Sequence, residues 1–301
     1  MSHFSTKKAI EFSFSTYRKH FVLLVTASAL MAASLWICSG SLERIAQQSG
    51  ISQALNISAI AKEQGHPATV WSIVAQVGTN LKAIQIQYYA ALLLVALLCY
   101  ALFFFLALGF MHLCLTLKDT GHGSLKLLFS SRFAQVKSFA GGAVLYFLSM
   151  FIGFLCATFV SALVGMMCRF FLTVKMITPL TVVMCVCLLA VAAVWVVGYM
   201  FFGFCILDNP TIGSFEALQM SAALSKGSRG RIIKTLFLTF LVVMVPLTVL
   251  LAAVLVMGKM LSLGDSTSAT LLNSMSVLIT YPLFFLCCSY LYRALNPKQS
   301  A

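Results

Sequence analysis

Residues 205–234 read CILDNPTIGSFEALQMSAALSKGSRGRIIK, a regularly patterned polar stretch between two long uncharged runs. Asn209 has a side chain suited to an N-cap, and Pro210 suits the first helical position, where a missing N–H costs nothing. Asp208 adds a negative charge near the positive end of that helix dipole. Ile212, Phe215, Leu218 and Ala222 recur at three- and four-residue spacing and make one apolar stripe, while Glu216, Gln219 and Ser225 fall on other faces. Gly227 follows the last periodic residue, where a left-handed C′ residue is expected. Lys226, Arg229, Arg231 and Lys234 then gather ahead of the next apolar run. The stretch predicts an amphipathic helix along the cytoplasmic membrane surface, joining two membrane spans.

The rest of the chain agrees with that setting. Of 301 residues, 61% are hydrophobic and only 9% charged, with a mean hydropathy of +0.99. So few charges cannot cover the surface of a soluble domain of this length. Charge-free windows over 21–42, 83–117, 138–168, 176–207, 235–258 and 266–292 each exceed the roughly 20 residues that cross a hydrocarbon core. The expected fold is all-α: one polytopic membrane helix bundle over 1–301. Its six transmembrane helices lie near 21–41, 87–117, 139–166, 179–206, 235–257 and 270–292, with amphipathic helices on the cytoplasmic face.

The formal charge of +13 is unevenly distributed. With the N-terminus inside, the cytoplasmic segments hold fourteen of the 20 basic residues, among them Lys118, Lys126, Arg132, Lys137, Lys226, Arg229, Arg231, Lys234 and Arg293. The opposite side holds Arg44, Lys62, Lys82, Arg169, Lys175 and Lys259. This positive-inside bias places both termini in the cytoplasm. It also makes anionic lipid headgroups, not nucleic acid, the expected partner of Lys118, Lys126, Arg132, Lys137, Lys226, Arg229, Arg231 and Lys234, at about 1 kcal/mol per charge.

In chain order, residues 1–20 form a charged lead-in, and the spans that follow favour an uncleaved first span over a cleaved leader. Residues 43–82 make one long outer loop, with 42–46 and 70–77 expected as short interfacial helices. The segments CLTLKDTGHGSLKLLFSS (114–131) and CILDNPTIGSFEALQMS (205–221) resemble each other. Gly123-Ser124 aligns with Gly213-Ser214, Leu128 with Leu218 and Ser131 with Ser221. Two readings stand: a parallel internal repeat, or two juxtamembrane helices with convergent caps. Ala157, Ser161 and Gly165 form a small-residue ridge suited to close helix packing. Pro246 and Pro282 lie inside the fifth and sixth spans, where a kink is expected. Cys38 and Cys168 fall near the outer ends of their spans, and a disulfide between them depends on the approach of their Cα atoms.

The chemistry-bearing residues are sparse. There is no HExxH, GxSxG or Walker A motif, no metal-spaced His/Cys set and no cofactor signature. His112 is the one ionisable side chain, thiols and phenols aside, within an expected span, so it is a candidate for function. The bland alternative is a neutral histidine hydrogen-bonded to a neighbouring helix. Asp119 and Asp208 carry a weaker claim as cation ligands, because helix capping accounts for them more simply.

Several motifs bear a family likeness: Thr16-Tyr17-Arg18-Lys19-His20-Phe21 before the first span, Asp208-Asn209-Pro210, Glu216-Ala217-Leu218, Ser221, Lys226-Gly227, Tyr281-Pro282 and Tyr292-Arg293. Over nearly the whole chain the sequence resembles the YciC-like bacterial inner-membrane proteins. These are relatives of the membrane domain fused to some glycerophosphodiester phosphodiesterases. The resemblance implies a six-helix protein of the bacterial inner (plasma) membrane; the phosphodiesterase domain is absent, so no hydrolase activity carries over. The expectation is a non-catalytic integral membrane protein, a structural or accessory component of the membrane or of a complex with a membrane-protein partner. The alternative is a transporter or channel for an apolar or lipid-like solute, with His112 and the helix around Pro246 as its candidate parts.

Overall fold

The computed structural model describes residues 4–49, 51, 75, 77, 79–80, 86–171, 192–260 and 265–296. The helices are α1 (Thr6–Lys19), α2 (Phe21–Gln48), α3 (Ile86–Thr120), α4 (Phe133–Phe171), α5 (Phe202–Asp208), α6 (Ser214–Ser225), α7 (Arg229–Met260) and α8 (Asp265–Leu295). A 3₁₀ turn, Leu125–Phe129, joins α3 to α4, and a helical segment over 192–199 leads into α5. Five stretches are long and apolar enough to cross a membrane: Phe21–Gln48, Gln87–Thr120, Phe133–Cys156, Arg229–Thr248 and Leu278–Leu295. The chain is a multi-pass helical membrane protein. Of the fourth expected span, 179–191 lies outside the described residues, and 192–208 is a shorter apolar stretch.

Several boundaries differ from the sequence reading. The lead-in is the helix α1, which packs on α8 and α7 through its buried Ala9 and Ser13. Its Thr6 hydroxyl meets that of Thr235 at 2.9 Å, and Phe12 lies 5.5 Å from Tyr290. Residues 42–46 continue α2 instead of forming an interfacial helix, whereas most of 70–77 lies outside the described residues. Arg229, Arg231 and Lys234, expected just ahead of the apolar run, form the first turns of α7, and Arg293 lies in the last turn of α8. Both helices continue through their prolines, Pro246 and Pro282. The side chains of Ala157, Ser161, Gly165 and Cys168 lie outside the described part; Cys38 is a free thiol with Cys99 beside it.

The stretch that opened the sequence reading folds differently at its start. Asn209 terminates α5, its backbone and side-chain N–H groups both donating to the Cys205 carbonyl at 3.0 and 3.3 Å. Pro210 sits in a turn, and α6 begins only at Ser214. Gly213 is the N-cap, and its N–H donates to the Glu216 carboxylate at 3.3 Å. The buried face is Ala217, Leu218, Ser221 and Ser225, while Phe215 of the expected stripe is exposed. At the other end Gly227 has φ +81°, the left-handed residue expected after the helix.

By internal contacts the chain divides into two units, Leu30–Phe103 and the remainder. In the larger unit the fully buried side chains include Phe110, Leu113 and Leu117 of α3, Phe204 and Ile206 of α5, Ile232 of α7, and Leu291 and Tyr292 of α8. The tight core therefore sits where α3, α5 and α8 finish and α7 begins. Away from it, Val22, Phe147, Phe154, Phe159 and Phe237 are exposed, as side chains facing lipid would be. Buried hydroxyls are satisfied along their own helices: Ser13, Thr235 and Thr239 donate to carbonyls four residues back at 2.8–2.9 Å. In the smaller unit, Leu93, Leu94, Leu97 and Leu98 leave α3 similarly apolar at its surface.

Glycines set how closely the elements approach. Gly109 of α3 lies against the backbone of Leu128, Gly142 of α4 against the Phe202 ring, and Gly203 of α5 against Met111 and Phe139. Phe139 and Phe202 stack at 5.0 Å beside these contacts.

A candidate functional site where the helices end

Asp119 and Asp208 occupy corresponding places, each at the C-terminal end of an apolar helix. A carboxylate there opposes the helix dipole, so local structure gives it no stabilisation. Both side chains instead converge on Arg293. Its Nε donates to Asp119 Oδ1 at 2.9 Å and its Nη2 to Asp119 Oδ2 at 2.5 Å, a two-pronged pairing. Its Nη1 donates to Asp208 Oδ2 at 2.7 Å. The Tyr292 hydroxyl donates to the same Asp208 oxygen at 2.7 Å and accepts from Asn296 Nδ2 at 3.3 Å. Phe204 stacks on the Tyr292 ring at 5.4 Å, and the guanidinium lies over the same ring at 5.6 Å.

Burial grades the cluster. The side chains of Arg293 and Asp208 are 10% and 9% exposed, that of Asp119 33%. One guanidinium thus ties together the ends of α3, α5 and α8, and two carboxylates against one cation leave a formal excess of one negative charge. Beside it, Lys118 Nζ lies 5.2 Å from the centres of both the Phe12 and Tyr290 rings, binding α1 to the same corner. Asp208 and Asp119 therefore act as partners of Arg293, and Asp208 does not sit at the start of a helix as the sequence suggested. Tyr17, in α1 and outside the spans, has a buried hydroxyl with no hydrogen-bond partner among the described residues, and burial pushes its phenol up.

The remaining candidates do not join this cluster. His112 Nδ1 is 2.9 Å from the Ser130 hydroxyl, which itself donates to the Leu127 carbonyl at 2.8 Å. We assign the Nδ1 proton on that basis, with His112 donating to Ser130. Pro246 lies far along α7. Asn209 is taken up by Cys205 and by the Met220 sulfur at 3.8 Å, and Pro210 is exposed in its turn. Among the basic residues, Lys126, Arg132, Lys137, Lys226, Arg231 and Lys234 are exposed, Lys118 is drawn onto its two aromatic rings, and Arg229 is half-buried. Among the described residues no group of three His, Cys, Asp or Glu is placed to hold a metal.

A second polar joint lies behind the clamp. The helix is interrupted by a turn at 200–201, and there the Phe201 N–H donates to Ser221 Oγ at 3.1 Å. Ser221 Oγ in turn donates to the Gly198 carbonyl at 3.1 Å. Ser221→Ala should cost about 1–3 kcal/mol, the penalty for a buried unpaired donor. Thermal unfolding in mild detergent checks it, and an unshifted midpoint would mean the Phe201 N–H has another partner.

In the sequence Arg293 stood as an inside charge and as part of the Tyr292-Arg293 motif, with no ion-pair partner assigned. A signal was available: with the N-terminus inside, even-numbered spans all end at one face. That rule puts Asp119, Asp208 and Arg293 at the same membrane level.

Comparison with protein-family models, with curated proteins and with solved structures finds no match to this chain.

Proposed function

We propose that the protein is a non-catalytic, structural or accessory component of the bacterial inner membrane, with both termini in the cytoplasm, in the manner of the YciC-like proteins it resembles. The carrying observation is the Asp119–Arg293–Asp208 clamp. It uses buried charge to hold three helix ends in one arrangement, whereas a carrier coupled to ions would place such charges where they change partners. The exposed Lys126, Arg132, Lys137, Lys226, Arg231 and Lys234 would hold that end against anionic lipid headgroups. A neighbouring membrane protein is the proposed partner. Purification of the full chain in mild detergent, with mass spectrometry of what accompanies it, tests the reading: a stoichiometric protein partner is expected. Its absence, together with solute uptake by reconstituted vesicles, would overturn it in favour of a transporter for an apolar or lipid-like solute. That second reading draws on an apolar groove of about 570 Å³ between the 192–199 segment, α7 and α8. His112 is not among the residues that line it.

Topology has its own test. Single cysteines replacing Lys126 and Lys226 in a cysteine-free background should resist a membrane-impermeant thiol reagent in intact cells and react after lysis. Labelling in intact cells would invert the proposed orientation.

A further inference from the structure

The groove and the basic cluster at its foot fit a single ligand. We infer that this groove is a specific site for one anionic phospholipid, with an acyl chain in the slot and its phosphate on Arg229. The inference rests on, and sharpens, the proposed contact with anionic lipid.

Three observations carry it. First, the slot has the dimensions of a lipid chain. Its α7 wall runs from Ile233 to Val243, about 15 Å of helix, half of a hydrocarbon core about 30 Å thick. Its volume of about 570 Å³ lies within the range, about 300–1,000 Å³, of sites that hold one small apolar ligand. Second, the lining is apolar: Val197, Leu236, Phe240 and Phe284 face it, and the Thr239 hydroxyl is committed to the Thr235 carbonyl at 2.9 Å.

Third, Arg229 stands at the foot of the slot, one helical turn ahead of Ile233. Its guanidinium packs beside Gly198, next to Val197, with Nη2 3.5 Å from where a side chain on that glycine would begin. Arg229 Nε is buried without a hydrogen-bond partner, and Arg229 forms no ion pair among the described residues. A buried cationic donor facing no acceptor calls for an anion. The nearby Lys226, Arg231 and Lys234 raise the local positive potential. A partner helix would fill the slot but would need a carboxylate at this one level to satisfy Arg229. A phosphate attached to an acyl chain brings both groups in one molecule.

The test uses the full chain in mild detergent, mixed with equal amounts of phosphatidylglycerol and phosphatidylcholine of the same chains and read by native mass spectrometry. One phosphatidylglycerol should be retained per chain in preference to phosphatidylcholine. Arg229→Gln should lower that preference about tenfold or more, as loss of a charge-assisted hydrogen bond would; Arg229→Lys should restore much of it. Ala193→Trp, which fills the slot, should reduce retention of both lipids. Lys8→Gln, an exposed charge on α1 outside the proposed lipid contacts, should change nothing. Monodispersity and helical content of each variant exclude misfolding as the cause. Equal retention of the two lipids, an effect of Lys8→Gln as large as that of Arg229→Gln, or lipid retention unchanged by Ala193→Trp would each overturn the inference. None of these results removes a stoichiometric protein partner, so the accessory reading stands or falls separately.

Discussion

Arg293→Met should lower folding stability by about 3–5 kcal/mol, the usual cost of removing one member of a buried ion pair. Methionine retains an apolar stem, so packing changes little and the loss isolates charge and donors. Asp208, 9% exposed, would keep only the Tyr292 hydroxyl as a donor from this cluster. Asp208→Asn should therefore cost more than Asp119→Asn, whose side chain reaches solvent and is better screened. Arg293→Lys should rescue poorly, because one ammonium cannot reproduce a fork that reaches two carboxylates. Thermal unfolding of the four variants in one detergent gives the order. Full rescue by lysine, or a larger loss at Asp119 than at Asp208, would show that the clamp is not the joint described here.

Gly109→Ala should cost about 3 kcal/mol or more, at or above the upper end for overpacking. The added methyl would occupy the place of the Leu128 carbonyl, and backbone cannot swing aside as a side chain can. Gly203→Ala should be milder, since the nearest obstacle is the Met111 sulfur at 2.5 Å, on a flexible thioether. Gly153→Ala meets nothing within 4 Å and should be neutral or stabilise by up to about 1 kcal/mol through helix propensity. Parallel melting curves decide between this graded series and a uniform intolerance of α3, α4 and α5 to alanine.

These two sets of residues show where sequence stops being legible. Five of the six expected spans were readable because apolar length is a local property, and so was Gly227, whose backbone conformation depends on its own turn. The clamp was not, because Arg293 stands 174 residues from Asp119 and 85 from Asp208. Asp208, Asn209 and Pro210 looked like a helix start by the usual capping rules. Tertiary pairing of Asp208 overrode them, with Asn209 closing the preceding helix. Gly109 carries no sequence signal that distinguishes it from Gly153; only the return of the chain at Leu128 does. The two similar segments folded as a 3₁₀ turn and a true helix, yet their aspartates met the same arginine. A shared partner places them in one cluster without deciding between repeat and convergence.

The order in which a ribosome delivers these groups gives the clamp a further consequence. Asp119 and Asp208 emerge first and must wait, at their helix ends, for a cation that arrives only with α8. Until then the nascent bundle carries two acids held against their own helix dipoles, and α8 is the helix that relieves both at once. Arrival of Arg293 thus closes this corner of the bundle. A chain halted before it would display an acidic, unfastened corner, with Asp119 and Asp208 both unpaired from their shared cation.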